Sequence, residues 1–188
     1  MQSLARILPF AKELLTTAVS ETDTVIDATA GNGHDTVFLA GIARHVHSFD
    51  IQASAIESTR LKLEEAVLAN ATLHHTGHEN ISHLIQEEIG AAVFNLGYLP
   101  GGDESITTHG PTTWSAVQSI LKLLKRHGLI VLVIYHGHPS GKVERHFIEE
   151  QVETLDSRTY QVLKYQFMNR PTSPYILCIE KLFEEIRP

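Results

Sequence analysis

The stretch that decides the fold reads TVIDATAGNGHDT and covers residues 24–36. It opens with a short apolar, β-branched run, which is typical of a buried strand. The run ends in the turn Ala30-Gly31-Asn32-Gly33, whose two glycines permit tight backbone and the close approach of a ligand. A helical pattern begins at Asp35. The stretch therefore predicts the strand, turn and helix that begin a βαβ unit.

The chain outside this stretch continues the same alternation. Strand-like runs cover residues 24–29, 45–50, 71–76, 91–96, 128–135, 160–167 and 175–181, and helical patterns cover residues 3–20, 35–43, 52–70, 81–88, 112–127 and 143–155. Strands that alternate with helices predict a parallel sheet, and the last two runs, which a loop joins, predict an antiparallel pair.

We therefore predict a single α/β domain over residues 1–188, with the N-terminal helical segment 1–20 packed on it. The seven strand-like runs are expected to form one Rossmann-like sheet. This sheet is expected to be mostly parallel, with an antiparallel strand near one edge and helices on both faces.

Composition places the chain among ordinary globular proteins. It has 188 residues, of which 43% are hydrophobic, and its 15 Lys and Arg against 22 Asp and Glu give a net charge of −7. These values exclude a disordered chain, which would be poor in apolar residues. The acidic balance argues against broad electrostatic binding of nucleic acid but leaves room for a local basic patch.

Cysteine usage and hydropathy indicate the compartment. Cys178 is the one cysteine in the sequence and cannot form an internal disulfide, so a reducing, cytoplasmic location is expected. The N-terminal residues lack the charged start and long apolar run of a signal peptide. No apolar stretch reaches the roughly 20 residues that a membrane span needs. We therefore expect no membrane association.

The first candidate binding site is the turn after the first strand, because open α/β sheets bind ligands beyond the carboxyl ends of their strands. The dinucleotide pattern G-x-G-x-x-G does not occur there. Instead, Asp27 ends the strand, where its carboxylate can accept a hydrogen bond from a cationic amino group. S-adenosylmethionine has such a group and NAD does not. The following helix offers N–H donors for an anionic group.

The ends of the second and third strands suit an adenosine. Asp50 ends the second strand, where a carboxylate can bind both ribose hydroxyls, although it could also cap the next helix. The third strand ends close to His78, which would then contact the edge of the adenine base. Ribose and adenine occur in NAD as well as in S-adenosylmethionine, so these contacts do not separate the two cofactors.

A second candidate site follows the fourth strand, which ends in NLGYLPGGD over residues 95–103. The Asn95 side-chain carbonyl and a backbone carbonyl of the turn can orient an amine for attack on a methyl group. The Tyr98 ring can hold a planar base. The stretch resembles the Asn-Pro-Pro-Tyr motif of amino-methyltransferases, with Leu96 and Gly97 in place of the prolines. The predicted catalytic residues are Asn95 and Tyr98, and substrate contacts are expected at Gly97, Leu99 and Pro100.

Histidines offer further chemistry around this site. Desolvation and the sulfonium charge of S-adenosylmethionine would both lower the pKa of the amine, so the reaction could proceed without a dedicated base. If a base is used, Tyr98, His109 and His136 are the alternative proton acceptors, and the two histidines are also predicted substrate contacts. Neither His74-His75 nor His136-Gly137-His138 has a cysteine or carboxylate at ligand spacing. No metal site is therefore predicted.

The chain as a whole resembles the class I S-adenosylmethionine-dependent methyltransferases. More closely, it resembles a small bacterial family long labelled "putative rRNA methylase" and now assigned to the wobble uridine of tRNA. Residues 27–36, 95–103, 135–139 and 169–174 carry the resemblance, which covers nearly the whole chain.

The resemblance implies N-methylation of 5-aminomethyl(-2-thio)uridine at the tRNA wobble position, which gives the methylaminomethyl form. It also implies a homodimer and binding of the tRNA anticodon region. Lys142, Arg145 and Arg170 lie near the predicted active-site edge and are the basic candidates for that binding, with Arg170 predicted as a substrate contact.

The family's cofactor contacts would fall on Asn32, Asp35, Thr36, Asp50, Gln52 and His78. Together with the strand and turn residues, the predicted cofactor site is Asp27, Thr29, Gly31, Asn32, Gly33, Asp35, Thr36, Asp50, Gln52 and His78.

Three other functions stay open from the sequence. Methylation of rRNA or of a small amine belongs to the same reaction class. An NAD-dependent oxidoreductase belongs to another class, and both the missing G-x-G-x-x-G and the final strand pair argue against it. A binding module without turnover is the third, and the intact Asp27, Asp50 and Asn95 argue against that.

Overall fold

The computed structural model describes residues 4–97, 101, 105–137 and 139–183. Its strands are β1 (Thr24–Asp27), β2 (His45–Asp50), β3 (Ala71–His75), β4 (Ile89–Leu96), β5 (Leu124–Ile134), β6 (Tyr160–Tyr165) and β7 (Tyr175–Lys181). They form one seven-stranded sheet in the order β3-β2-β1-β4-β5-β7-β6. The β-branched and apolar residues of β1 and β5 are almost all buried, as expected for central strands.

In the described ranges, six α-helices flank the sheet: α1 (Ile7–Ala18), α2 (His34–Ala40), α3 (Ala53–Glu65), α4 (Ile81–Leu84), α5 (Gly110–Leu123) and α6 (Pro139–Val152). Buried side chains of α1, α2 and α3 pack on one face, where Leu15, Leu39 and Leu63 belong to one apolar cluster. Helices α4, α5 and α6 pack on the other face, and Trp114 and Ile148 belong to its cluster. None of the helices in the described ranges is long and apolar enough to cross a membrane.

Strand pairing agrees with the predicted topology. The pairs β1–β2, β1–β4, β2–β3 and β4–β5 are parallel, and β7 is antiparallel to both β5 and β6. The chain reverses its direction of travel across the sheet at β1, which lies between β2 and β4. Parallel sheets bind ligands beside this reversal, at the carboxyl ends of the strands. The fold therefore places the ends of β1 and β4 side by side.

Three predicted helices are too long at their C-terminal ends by four residues or more. The one predicted over residues 52–70 ends at Glu65, and Val67 just beyond it has φ 56°, in the left-handed region. The pattern over residues 112–127 predicts one helix, but α5 ends at Leu123 and β5 begins at Leu124, which is extended, buried and paired with Ile89. The backbone then passes through His127 in the left-handed region, with φ 62°. The pairing shifts register between Ile89 and Ala91, so residues 125–128 bulge from the ladder.

The helix predicted over residues 81–88 also ends early, at Leu84. The Glu87 carboxylate accepts a hydrogen bond of 2.7 Å from the Thr24 hydroxyl and one of 2.6 Å from Arg44. These contacts draw the segment toward the start of β1 and away from a helical path.

Candidate active site

A cavity of about 1130 Å³ opens at the carboxyl ends of β1, β2, β4 and β5. Its volume reaches the upper end of the usual range for small-molecule sites, about 300–1,000 Å³, which leaves room for a cofactor together with part of a substrate. The predicted site residues that line it are Thr29, Gly31, Asn32, Asp35, Asp50, Gln52, His78, Asn95, Gly97, His109 and His136.

The other predicted site residues have different positions. Tyr98, Leu99 and Pro100 lie outside the described residues. Arg170 is exposed and is not among the residues that line the cavity, and its guanidinium lies 5.7 Å from the centre of the Phe167 ring. Its contact with substrate stays a prediction, and the loop contributes Thr172 and Pro174 to the wall.

Asp27, Gly33 and Thr36 are not among the described residues that line the cavity, and their contact with the cofactor stays a prediction. Asp27 and Thr36 are fully buried, and the Thr36 hydroxyl donates a hydrogen bond of 2.7 Å to the Asp27 carboxylate. A Cβ on Gly33 would stand 2.8 Å from the Thr59 Cα, and Gly33 has φ 81°. These three residues therefore fix the turn and its packing on α3.

Burial gives the Asp27 carboxyl an unusual charge state. Its pKa is raised to about 7, chiefly by loss of solvation and also by the negative charges of Asp35 and Asp50. Hydrogen bonds from the Thr36 hydroxyl and the Thr29 backbone N–H act in the opposite direction. The carboxyl is therefore largely protonated in the folded chain at mildly acid pH.

Asp27→Asn is expected to change how stability depends on pH. The pKa is 3.8 in the unfolded chain and about 7 in the folded chain, so the stabilisation is complete below about pH 4 and is lost as pH rises to about 7. The unfolding free energy of the wild type minus that of the variant should fall over this window by up to about 4 kcal/mol. Urea unfolding at four pH values measures this difference.

The wild type is compared with the variant because His47, His74 and His78 change the unfolding free energy with pH in the direction opposite to Asp27. Burial lowers the pKa of each, so their contribution to stability rises with pH in the same window. Glu21→Gln, at an exposed carboxylate, serves as the control and should leave the pH profile unchanged. A difference that stays flat from pH 4 to 7 would contradict the assigned charge state of Asp27.

The Asp50 carboxylate ties the first turn to the end of β2. Its Oδ2 accepts a hydrogen bond of 2.9 Å from the Gly31 N–H, and its Oδ1 accepts one of 2.9 Å from the Gln52 N–H. A carboxylate has about four acceptor positions. Asp50 lines the cavity, so it can also accept hydrogen bonds from two hydroxyls of a ligand.

His78 lines the cavity and has an unused acceptor in its ring. Its Nδ1 lies 3.0 Å from the Ala28 carbonyl oxygen, so Nδ1 carries the proton and donates it. Burial lowers the pKa of His78 and keeps the ring neutral. The other nitrogen, Nε2, is therefore an acceptor, and it is buried without a partner among the described residues. A buried acceptor of this kind needs a donor, which a bound ligand can supply.

The Asn95 side chain is held in one orientation. Its Nδ2 donates a hydrogen bond of 2.7 Å to the Asp35 carboxylate, and its backbone N–H donates one of 2.7 Å to the Thr29 hydroxyl. The amide nitrogen is thereby committed to Asp35. The amide oxygen is the remaining acceptor of a side chain that lines the cavity. The sequence suggested Asn95 and Asp35 for separate roles, and their pairing was missed.

A buried glutamate supports the turn that follows Asn95. Glu144 of α6 is 3% exposed and accepts hydrogen bonds from the Thr108 hydroxyl at 2.6 Å and the Thr113 hydroxyl at 2.9 Å. The Thr108 hydroxyl oxygen in turn accepts a hydrogen bond of 2.9 Å from the Gly97 N–H. Helix α6 therefore holds the turn of the second candidate site through Thr108.

The sequence did not single out Glu144, Thr107 or Lys12. In the sequence, Glu144 looks like any glutamate of an amphipathic helix. Thr107 and Lys12 line the cavity only because the tertiary fold brings them there, so no local pattern marks them. The Thr107 hydroxyl is buried without a hydrogen-bond partner among the described residues. Across residues 4–97, 101, 105–137 and 139–183, no group of three or more His, Cys, Asp or Glu side chains is arranged to hold a metal ion.

Comparison with known proteins gives a consistent result. The family model described as "Putative rRNA methylase" matches residues 46–181. A curated protein from Arabidopsis thaliana, named "tRNA (mnm(5)s(2)U34)-methyltransferase, chloroplastic", is 37% identical over 177 residues. The match covers 87% of this chain and 65% of that relative, so the chain spans less than two thirds of the relative's length.

Two solved structures are similar along almost the whole chain. A "putative rRNA-methylase" from Clostridium thermocellum has a TM-score of 0.93 and 37% identity, over 96% of this chain and 100% of that one. A "putative methyltransferase" from Streptococcus mutans, solved in complex with SAH, has a TM-score of 0.90 and 37% identity. That match covers 95% of this chain and 99% of the other.

Proposed function

The chain belongs to the family described as "Putative rRNA methylase", and we propose that it methylates the aminomethyl nitrogen of 5-aminomethyl(-2-thio)uridine at the tRNA wobble position. The predicted family and its class I methyltransferase fold are confirmed, and the enzyme class is S-adenosylmethionine-dependent methyltransferase. The reaction on wobble uridine is the proposal. The observation that carries it is the orientation of Asn95, whose amide nitrogen is committed to Asp35.

The cavity wall fits S-adenosylmethionine at one end. The unpartnered His78 Nε2 is an acceptor that matches the amino group of adenine. Asp50 would bind the ribose hydroxyls, and Gly31, Asn32 and Gln52 line the same part of the wall. When bound, S-adenosylmethionine supplies an electrophilic methyl group on a positively charged sulfur. The Asp35 and Asp50 carboxylates make this wall favourable for a cation.

Asn95 would orient the substrate amine. Because its Nδ2 donates to Asp35, its Oδ1 is the atom that can accept an N–H bond from the aminomethyl group. An amide oxygen in this place fixes the direction of the nitrogen lone pair. Thr29 holds the Asn95 backbone, so both the main chain and the side chain of the residue are fixed before substrate binds.

Of the two histidine candidates, we favour His136 as the proton acceptor, because a hydrogen bond holds its ring. An alkylammonium group has a pKa near that of lysine, about 10, and it must lose a proton before it can attack. The His136 Nε2 lies 2.9 Å from the Ser173 carbonyl oxygen, which fixes the proton on Nε2. The neutral ring then has its lone pair on Nδ1, in a residue that is buried and lines the cavity.

We also propose a binding partner, an oligomeric state and a cellular location for this chain. The Arabidopsis relative is named for tRNA modification and for the chloroplast, and we extend the tRNA substrate to this chain. The whole chain would act as one domain, as a homodimer and in a reducing, cytoplasmic compartment. Light scattering coupled to gel filtration tests the dimer.

A methyl-transfer assay tests the reaction. We expect the purified protein to consume S-adenosylmethionine with tRNA that carries 5-aminomethyluridine at the wobble position, and not with the same transcript carrying unmodified uridine. The matched transcripts differ only in the acceptor amine. Equal methylation of both, or methylation of neither together with activity on rRNA or a small amine, would overturn the proposed substrate.

A further inference from the structure

A second, smaller cavity of about 480 Å³ adjoins the active-site cavity. His136, Gly137 and Thr172 line both of them, so the two cavities are neighbours. The remaining walls of the smaller cavity come from α6 and from Pro171. A ligand that extends out of the active-site cavity on this side would therefore pass close to this groove. We call the smaller cavity the α6 groove.

The α6 groove is basic in an acidic protein. Lys142, Arg145, His146 and Glu149 line it at positions i, i+3, i+4 and i+7 of α6, which lie on one face of the helix. The chain as a whole has a net charge of −7. A concentration of cationic side chains beside the active site is thus a local departure from the overall charge.

Among the described residues that line the groove, the one carboxylate is already neutralised. Glu149 accepts hydrogen bonds from Lys164 at 2.7 Å and from the Tyr175 hydroxyl at 2.9 Å, and it pairs with Arg145 at 3.3 Å. The Arg145 guanidinium also lies over the Tyr175 ring, 5.5 Å from its centre. These contacts hold Arg145 in place at the groove.

Lys142 is the groove cation that has no committed partner. Its side chain is exposed, and among the described residues it makes no hydrogen bond or ion pair. An ordered arginine and an available lysine on one helix face form a typical binding arrangement for a phosphate oxygen.

We propose that the α6 groove binds a backbone phosphate of RNA next to the nucleotide in the active-site cavity. This inference rests on the proposed function, because it takes the occupant of the large cavity to be a nucleotide of tRNA. Lys142 and Arg145 would contact the phosphate. The contact is independent of base identity, so it would position the strand and leave recognition of the base to the active site.

Charge reversal at Lys142 tests the inference. Binding of the tRNA to wild-type protein, Lys142→Ala and Lys142→Glu is measured at several KCl concentrations, together with the Kd for S-adenosylmethionine. Loss of one phosphate contact should lower the slope of log K against log salt by about 0.7–0.9. Lys142→Ala should weaken tRNA binding by about 3- to 10-fold, and Lys142→Glu by more. Cofactor affinity should stay the same.

Lys122→Glu is the matched control. Lys122 is exposed in the last turn of α5, at the opposite end of the sheet from the cavity, and the substitution makes the same change in net charge. It should leave the salt slope as in the wild type. If Lys122→Glu and Lys142→Glu weaken tRNA binding equally, or if both Lys142 variants keep the wild-type salt slope, the proposed phosphate site in the α6 groove is wrong.

The binding assay separates this inference from the proposed function. If wild-type protein binds tRNA with the Lys142-dependent slope but does not methylate 5-aminomethyluridine, phosphate binding in the α6 groove is supported and the proposed reaction is wrong. If it methylates this nucleoside and the Lys142 variants bind tRNA as the wild type does, phosphate binding in the α6 groove is wrong and the proposed reaction is supported. Failure of the wild type to bind tRNA would overturn both.

Discussion

Asn95→Ala is expected to slow methyl transfer about 10²- to 10³-fold while the Kd for S-adenosylmethionine stays within about threefold of the wild type. The substitution removes the oxygen that would orient the amine. It also leaves the Asp35 carboxylate without the Asn95 donor, but the hydrogen bonds that hold Asp50 and His78, the proposed adenosine contacts, do not involve Asn95. Single-turnover rates and calorimetric titration of the cofactor measure the two quantities separately.

Asn80→Ala is the control for this variant. Asn80 lies close to the site in sequence and space but does not line the cavity, and its amide donates to the Thr76 hydroxyl at 3.0 Å. Its loss should leave the single-turnover rate close to that of the wild type. If Asn95→Ala weakens cofactor binding as much as it slows the reaction, Asn95 has a cofactor or folding role and the assigned orientation is wrong.

Asp50→Ala is expected to weaken binding of S-adenosylmethionine about 100-fold. Hydrogen bonds to a charged group contribute about 1.5–3 kcal/mol each, and the loss of two hydroxyl contacts reaches about 3 kcal/mol even if they are partly redundant. The substitution also removes the acceptors that hold the Gly31 and Gln52 N–H groups at 2.9 Å. Equilibrium dialysis with labelled cofactor gives the Kd.

A ligand lacking one hydroxyl separates the ribose contact from the support of the turn. Wild-type protein should bind S-adenosylhomocysteine more tightly than its 2′-deoxy counterpart, whereas Asp50→Ala should bind the two about equally. If the variant still distinguishes the ligands as the wild type does, Asp50 acts through the turn alone. Unchanged affinity for both would remove Asp50 from the cofactor site.

The fold followed from the sequence because its signals are local. The apolar run before Gly31, and the loop between the last two strands, each reflect a few adjacent residues. The parallel sheet and its antiparallel strand β7 were therefore predicted correctly. The end of α5 was not, since Leu124 pairs with Ile89 across 35 positions of sequence, and burial in the sheet outweighs the helical pattern.

The residues of the site were predicted in part, because position at a strand end is readable and side-chain partners are not. Asp50 and Asn95 end strands, and both line the cavity. Asp27 also ends a strand, but Thr36 from the next helix covers it. The contact between Asn95 and Asp35 joins residues 60 positions apart, and that between Thr108 and Glu144 spans 36. Such pairs depend on the packing of helices on the sheet.

The position of the transferred methyl group on the nucleoside decides whether the protein methylates the aminomethyl nitrogen. Wild-type protein is incubated with S-adenosylmethionine carrying a deuterated methyl group and tRNA carrying 5-aminomethyluridine, and the digested nucleosides are fragmented by mass spectrometry. The orientation of Asn95 predicts that the label lies on the side-chain nitrogen of the wobble nucleoside. A label on the ribose or on the uracil ring would contradict this account.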